Sequence, residues 1–209
     1  MQNALKTFAI TARDWWDNML GIAITNLLWL GLSLTIVGLG PATAGIHGVA
    51  NSITHGKGQH FEDFVSSTRR YLWISQRWVI LNILVGITIY VNLVFYGSGE
   101  GLLALGLRTF VVSLTVLWLA TQFYVWPFLM EQEDKRLRVA FRNAAFLALA
   151  SPVYTITMLV LATVVILLSL VTVLPLGVFT VVFLGILGNR AVIERLRVFG
   201  KIPAETVQD

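Results

Sequence analysis

Residues 18–53 read NMLGIAITNLLWLGLSLTIVGLGPATAGIHGVANSI, without one Lys, Arg, Asp or Glu. An amphipathic helix on a water-soluble domain needs a polar face, and a charge-free stretch of this length has none. It is long enough to cross a bilayer, turn at Gly38-Leu39-Gly40-Pro41 and return most of the way. The class this implies is a multi-span membrane protein.

Composition points the same way. Of 209 residues, 56% are hydrophobic and only 12% charged, with a mean hydropathy of +0.77. A soluble domain carries about twice that charged share. A net charge of +4 could signal nucleic acid, but the basic residues sit in short clusters between apolar runs, as cytoplasmic loops do. No nucleic-acid-binding pattern accompanies them. The absence of cysteine excludes disulfides and thiolate chemistry. The opening MQNALKTFAITARDWWDN lacks a small-residue cleavage site and reads as retained, with the first apolar run serving as the membrane signal.

Six apolar runs follow along the chain, at about 20–39, 41–55, 74–96, 102–126, 153–174 and 176–192. Pro41 and Pro175 each fit the first turn of a returning helix, where a missing N–H does no harm. Pro127 closes the fourth run. Two connecting stretches, HFEDFVSSTRRYLW and RVAFRNAAFLALA, have apolar residues at three- and four-residue spacing and read as helices lying on the membrane surface. The expected fold is therefore an all-α, six-helix transmembrane bundle forming a single domain over 1–209, with two amphipathic surface helices on the cytoplasmic side. With the N-terminus inside, 14 of the 15 basic residues lie at the inner side and only Arg108 does not. That bias puts both termini on the cytoplasmic side of the membrane, facing anionic lipid.

NLLWLGLSLTIVGLGPATAGIHGV, residues 26–49, resembles the signature region of the YesL-like bacterial integral membrane proteins, a family of unknown function. Asn26, Leu27, Leu28 and Trp29 match its Asn-Leu-Leu-Trp run, and Gly40, Pro41, Ala42, Thr43 and Ala44 match its Gly-Pro-Ala-Thr-Ala run. Where the family often has proline after the Ser-Leu of the first span, this chain has Thr35, which implies a straighter helix. The resemblance extends more loosely over the whole chain. Genes of such families often sit near carbohydrate uptake systems, which implies an accessory or transport role and assigns no catalytic residue.

Candidate sites are few. Arg108 lies six residues into the fourth run, either snorkelling to the headgroups or contacting an anion in an outward cavity. Glu100 is the one carboxylate on that side. Pro41 and Pro175 both start helices there, so two helix N-termini could join Arg108 in a pocket for a carboxylate, phosphate or headgroup. His47, Asn51 and His55 share a helix face at four-residue spacing. They read as ties between helices or as the lining of a solute path. With His60 and Glu62 they make no recognised zinc spacing, and no metal or cofactor is expected. Asn26, Asn82, Asn92 and Gln122 are amides inside apolar runs that need partners, most simply between helices. No phosphate-binding glycine loop, nucleophile elbow or carboxylate pair is present, which disfavours an enzyme. Two readings of function follow. One is a membrane accessory protein that grips a protein partner or anionic lipid. The other is a small transporter or channel for a polar or anionic solute.

Overall fold

The computed structural model describes residues 2–172 and 176–202. Among them are nine α-helices: α1 (Gln2–Asp17), α2 (Met19–Ser33), α3 (Leu39–Thr54), α4 (Phe61–Arg70), α5 (Leu72–Gly97), α6 (Leu102–Glu131), α7 (Leu137–Ala150), α8 (Pro152–Thr172) and α9 (Val181–Val198). A π-helical turn, Leu176–Thr180, leads into α9.

Among the described residues only α5, α6 and α8, of 26, 30 and 21 residues, are long and apolar enough to cross a membrane. At 1.5 Å per residue even α8 reaches about 31 Å, the thickness of the hydrocarbon core. The six-helix transmembrane bundle is thereby corrected to three membrane-length helices. The reasons are length and burial. The apolar run 20–39 breaks at Ser33, leaving α2 with 15 residues, about 22 Å of helix. The run 41–55 becomes α3, of 16 residues, whose Pro41, Ala42, Ala44, Ile46, Val49, Ala50 and Ile53 are buried by protein. The run 176–192 falls largely in α9, which is buried over most of Val182–Ile193 and carries Arg190, Glu194, Arg195 and Arg197. A charge-free stretch must leave water, and the interior of a protein serves as well as lipid.

Small residues let α3 take that interior place. A Cβ on Gly48 would lie 2.0 Å from Ser67 Oγ and 2.5 Å from Ser67 Cβ, so α4 sits on the bare backbone of α3. Close approach through small residues thus holds the amphipathic helix α4, not a second membrane span. On another side Ile46 and Ala50 meet Gly185 of α9. Ile22, Ile46, Val49, Phe64, Val182 and Ile186 close one apolar cluster here. Tyr124, Trp126, Leu129, Met158, Leu187 and Val192 belong to a larger one, to which α6, α7, α8 and α9 are the main contributors.

Pro127 does not close the fourth run. It lies inside α6, which continues to Glu131. Proline removes the bond that its N–H would give the carbonyl four residues back, and that carbonyl belongs to Phe123. Gly188 of α9 covers the spot: a Cβ there would meet Pro127 Cγ at 3.0 Å and the Phe123 oxygen at 3.1 Å. The proline is tolerated because a glycine-bearing helix crosses at that turn.

The inner part of α6, from Ala120 to Leu129, is buried, whereas its outer part is not. No residue in the most apolar stretch of α5 or α6 is buried. The two helices therefore extend from the packed body as a hairpin with its tip at Ser98–Gly101.

Candidate functional site

A polar arrangement lies where α3, α6 and α9 converge. A pocket of about 460 Å³ opens there, lined by Thr54, His55, Gly56, Glu131, Arg190, Ile193, Arg197 and Ile202. Glu131, the last residue of α6, accepts a hydrogen bond from Asn51 Nδ2 and lies 3.5 Å from His55 Nε2. The Glu131 carboxylate is largely covered, with 16% of its side chain exposed. Asn51 also approaches Asn189 Oδ1 at 3.5 Å, and Asn189 Nδ2 is spent on its own helix at Gly185 O, 2.8 Å away.

Arg190 stands on the same wall. Its Nε and Nη2 both donate to Asp14 Oδ2 at 2.7 Å, which fastens α1 to α9. Burial raises the Asp14 pKa, and Arg190 opposes this. The net direction is upward, so removing the carboxylate from water outweighs the paired cation. The pocket thus presents a carboxylate, a histidine and two arginines in a partly sheltered space. Such a surface can bind a polar or zwitterionic group through several hydrogen bonds. Among the described residues no three His, Asp or Glu side chains are grouped closely enough to hold a metal ion.

The structure separates the three residues of the α3 face. His55 lines the pocket, and Asn51 donates to the Glu131 carboxylate that lines it. His47 instead stacks on Trp126, ring centroids 5.8 Å apart and 10° from parallel. Its Nδ1 is shut away without a partner, and burial lowers its pKa. His60 Nε2 turns to Lys57 O at 2.9 Å.

The other amides divide in two groups. Asn26 is wholly buried. It donates to Ile22 O at 3.1 Å and accepts the Val182 N–H at 3.3 Å, joining α2 to the start of α9. Gln122 accepts from Trp78 Nε1 at 2.8 Å and links α6 to α5. Asn82 and Asn92 bond back to their own helix, at Trp78 O and Thr88 O.

Arg108 is at the hairpin tip. Its Nη2 lies 3.4 Å from each of the Tyr96, Gly97 and Gly99 carbonyl oxygens, at the C-terminal end of α5, where a cation is favoured. Glu100 is exposed beside it, and no ion pair joins the two among the described residues. Pro41 is buried at the start of α3, next to Gly40, whose Cβ would meet Ser75 at the near end of α5. From Ser75 to Tyr96 the helix rises roughly 30 Å, so Pro41 and Arg108 are not brought together. Pro175 lies outside the described residues.

Glu131, Arg190 and Asp14 escaped the sequence reading. Each stands at or beyond the edge of an apolar run, where a charged residue reads as loop. The signal that could have found them is the chain's poverty in acid: with 11 Asp and Glu in all, a carboxylate next to a proline-bearing apolar helix is a marked position.

Residues 22–93 match the model of a family described as "Protein of unknown function, DUF624", which is the YesL-like bacterial family that the sequence resembles. The match takes in most of α2, all of α3 and α4, and most of α5. No curated protein and no solved structure matches the chain.

Proposed function

We propose that this membrane protein is an accessory component of a membrane assembly, acting through surfaces offered to neighbours rather than by conducting a solute itself. The observation that carries this reading is the α5–α6 hairpin. Four polar side chains along its unburied length bond to carbonyls of their own helices: Thr88 to Leu84 O, Asn92 to Thr88 O, Thr109 to Leu105 O and Ser113 to Thr109 O. A conduit would leave such groups free to replace the hydration of a passing solute. The apolar faces of the hairpin point outward instead, ready for lipid or for another protein's membrane helix.

Charge distribution supports the orientation. Lys57, Arg69 and Arg70 precede α5, and Lys135, Arg136, Arg138 and Arg142 follow α6. Both clusters flank the same end of the hairpin, and Arg108 alone is near the other. By the positive-inside rule that end is cytoplasmic, in the cytoplasmic membrane of a bacterium. In this reading the polar pocket at Glu131 faces the cytoplasm and recognises a polar group of the partner. The pocket also favours a second reading, a solute site in a small transporter.

Two measurements separate them. Purification in mild detergent from the native membrane should bring down a defined protein partner, and that partner should be lost on Glu131→Ala. Liposomes holding only this chain should pass no polar or anionic solute faster than empty ones. Flux that Glu131→Ala abolishes would overturn the accessory reading.

A further inference from the structure

The hairpin and α7 enclose a second space, apolar where the Glu131 pocket is polar. It measures about 570 Å³ and lies between Val85 and Ile89 of α5, Leu114 and Trp118 of α6, and Phe141 and Arg142 of α7. Trp118 and Phe141 stack at 5.4 Å and 18° from parallel to form one wall. The two threonines in the lining, Thr88 and Thr121, already donate to Leu84 O and Leu117 O. Water therefore finds little to hold it there, whereas hydrocarbon does.

One charge stands at this groove. Arg142 is exposed and makes no hydrogen bond or ion pair among the described residues, and neither does Arg138, one turn before it on α7. Their neighbours differ: Lys135 donates to Met130 O at 2.6 Å and Arg136 pairs with Asp134 at 3.1 Å. A guanidinium beside membrane-length apolar helices must reach a counter-charge or bulk water. Among the described residues none offers this one a counter-charge.

We propose that the groove is a binding site for an anionic glycerophospholipid, with an acyl chain between α5, α6 and α7 and the headgroup phosphate on Arg142. Both halves of the ligand are called for: the apolar lining takes the chain, and the unpaired guanidinium takes the phosphate as a charge-assisted, two-donor contact. Arg138 extends the cationic edge toward a second headgroup oxygen. The site is independent of how the Glu131 pocket is used, so it stands or falls apart from the accessory role.

The test is native mass spectrometry of the full chain released from detergent, with phosphatidylglycerol and phosphatidylcholine of identical acyl chains added as probes. The wild type should retain phosphatidylglycerol preferentially. Arg142→Gln should cut that preference about fivefold, the worth of one basic residue against an anionic lipid. Arg142→Lys should keep most of it, and Arg69→Gln, an exposed arginine on α4, should leave it unchanged. Leu114→Ala enlarges the groove without filling it and should weaken retention of both lipids. Equal retention of the two headgroups by the wild type would overturn the proposal and leave the groove to a partner's helix. An equal loss in Arg69→Gln and Arg142→Gln would also overturn it, by showing only a diffuse surface potential.

Discussion

Helices α3 and α5 make an instructive pair. Each is rich in apolar residues, and α3 has no charge at all, yet protein buries most of α3 while nearly all of α5 is left outside it. The difference is side-chain size. Within sixteen residues α3 holds three glycines and three alanines, which bring neighbouring backbones to within contact. The corresponding stretch of α5 is Ile, Leu, Val, Tyr and Phe around the lone Gly86, beside which a Cβ would meet nothing within 4 Å. Hydropathy tells that a segment leaves water. The proportion of small residues tells which medium receives it.

The sharpest way to break this comparison is to put the same side chain on both helices. Gly48→Leu would drive its Cβ to 2.0 Å from Ser67 Oγ, beyond the overpacking that costs roughly 1–3 kcal/mol in ordinary cores. It should abolish folding or detach α4. Gly86→Leu should change stability by less than about 0.5 kcal/mol. Thermal melting in detergent reads both, and equal midpoints would show that α3 is not closely packed.

Next in size is the ion pair between Arg190 and Asp14, which the body of the molecule has and the hairpin lacks. Arg190→Met should cost about 3 kcal/mol, because it strands a partly buried carboxylate. The Asp14 pKa is already raised, and loss of Arg190 raises it further. A group whose folded pKa is raised contributes stability that is present at low pH and lost as pH rises through that pKa. The variant should therefore recover stability relative to the wild type on acidification below neutrality. A deficit that does not change with pH would mean that Asp14 has another partner.

A smaller effect separates His47 from its neighbours on α3. Its pKa is lowered by burial, so its contribution is fully present above about 6.5, the usual value for histidine, and is lost as pH falls toward the lowered folded value. His47→Phe keeps a ring on Trp126 and removes the titration. Between pH 7 and 5 the wild type should lose more of its melting temperature than this variant. Comparing the two cancels Asp14, which shifts in the opposite sense. Parallel curves would place the ring in contact with water.

Much of this was legible in the sequence, and what was not has a physical cause. The runs that became α5, α6 and α8 are readable because their aliphatic stretches run for membrane length, and the most apolar part of each is left wholly or largely outside the packed body. The run 18–53 reads as two crossings when its lack of charge alone is weighed, whereas its glycines at 45 and 48 let α4 pack on α3. The return helix expected near 176–192 has its charged half in Arg190, Glu194, Arg195 and Arg197, so its apolar half packs inside the body. For the candidate site, Asn51 could be singled out as a polar residue in an apolar run. Its partner Glu131 could not, since Pro127 reads as the end of the helix that carries it. Pairings across 80 and 176 residues, as for Asn51 with Glu131 and Asp14 with Arg190, leave no local pattern to read.

The smallest effect is expected at the tip of the hairpin, where Arg108 is the one basic residue on its side. Its Nη2 contacts with three carbonyl oxygens are all at 3.4 Å, the long end of hydrogen-bond geometry, and water or headgroups can replace them. Arg108→Gln should therefore cost less than about 1 kcal/mol in global stability. Locally the effect should show: amide exchange over residues 98–104 should quicken about fivefold, the equivalent of 1 kcal/mol, while amides of α3 keep their protection. The same variant examines the anion contact that the sequence suggested. An anion bound at this arginine would have to displace the carbonyls that now face it, so inorganic phosphate should alter the exchange of the tip in neither protein. Phosphate that slows exchange in the wild type and not in Arg108→Gln would show that the guanidinium leaves its carbonyls for an anion, and the arginine would then be a ligand contact and no longer only a cap on α5.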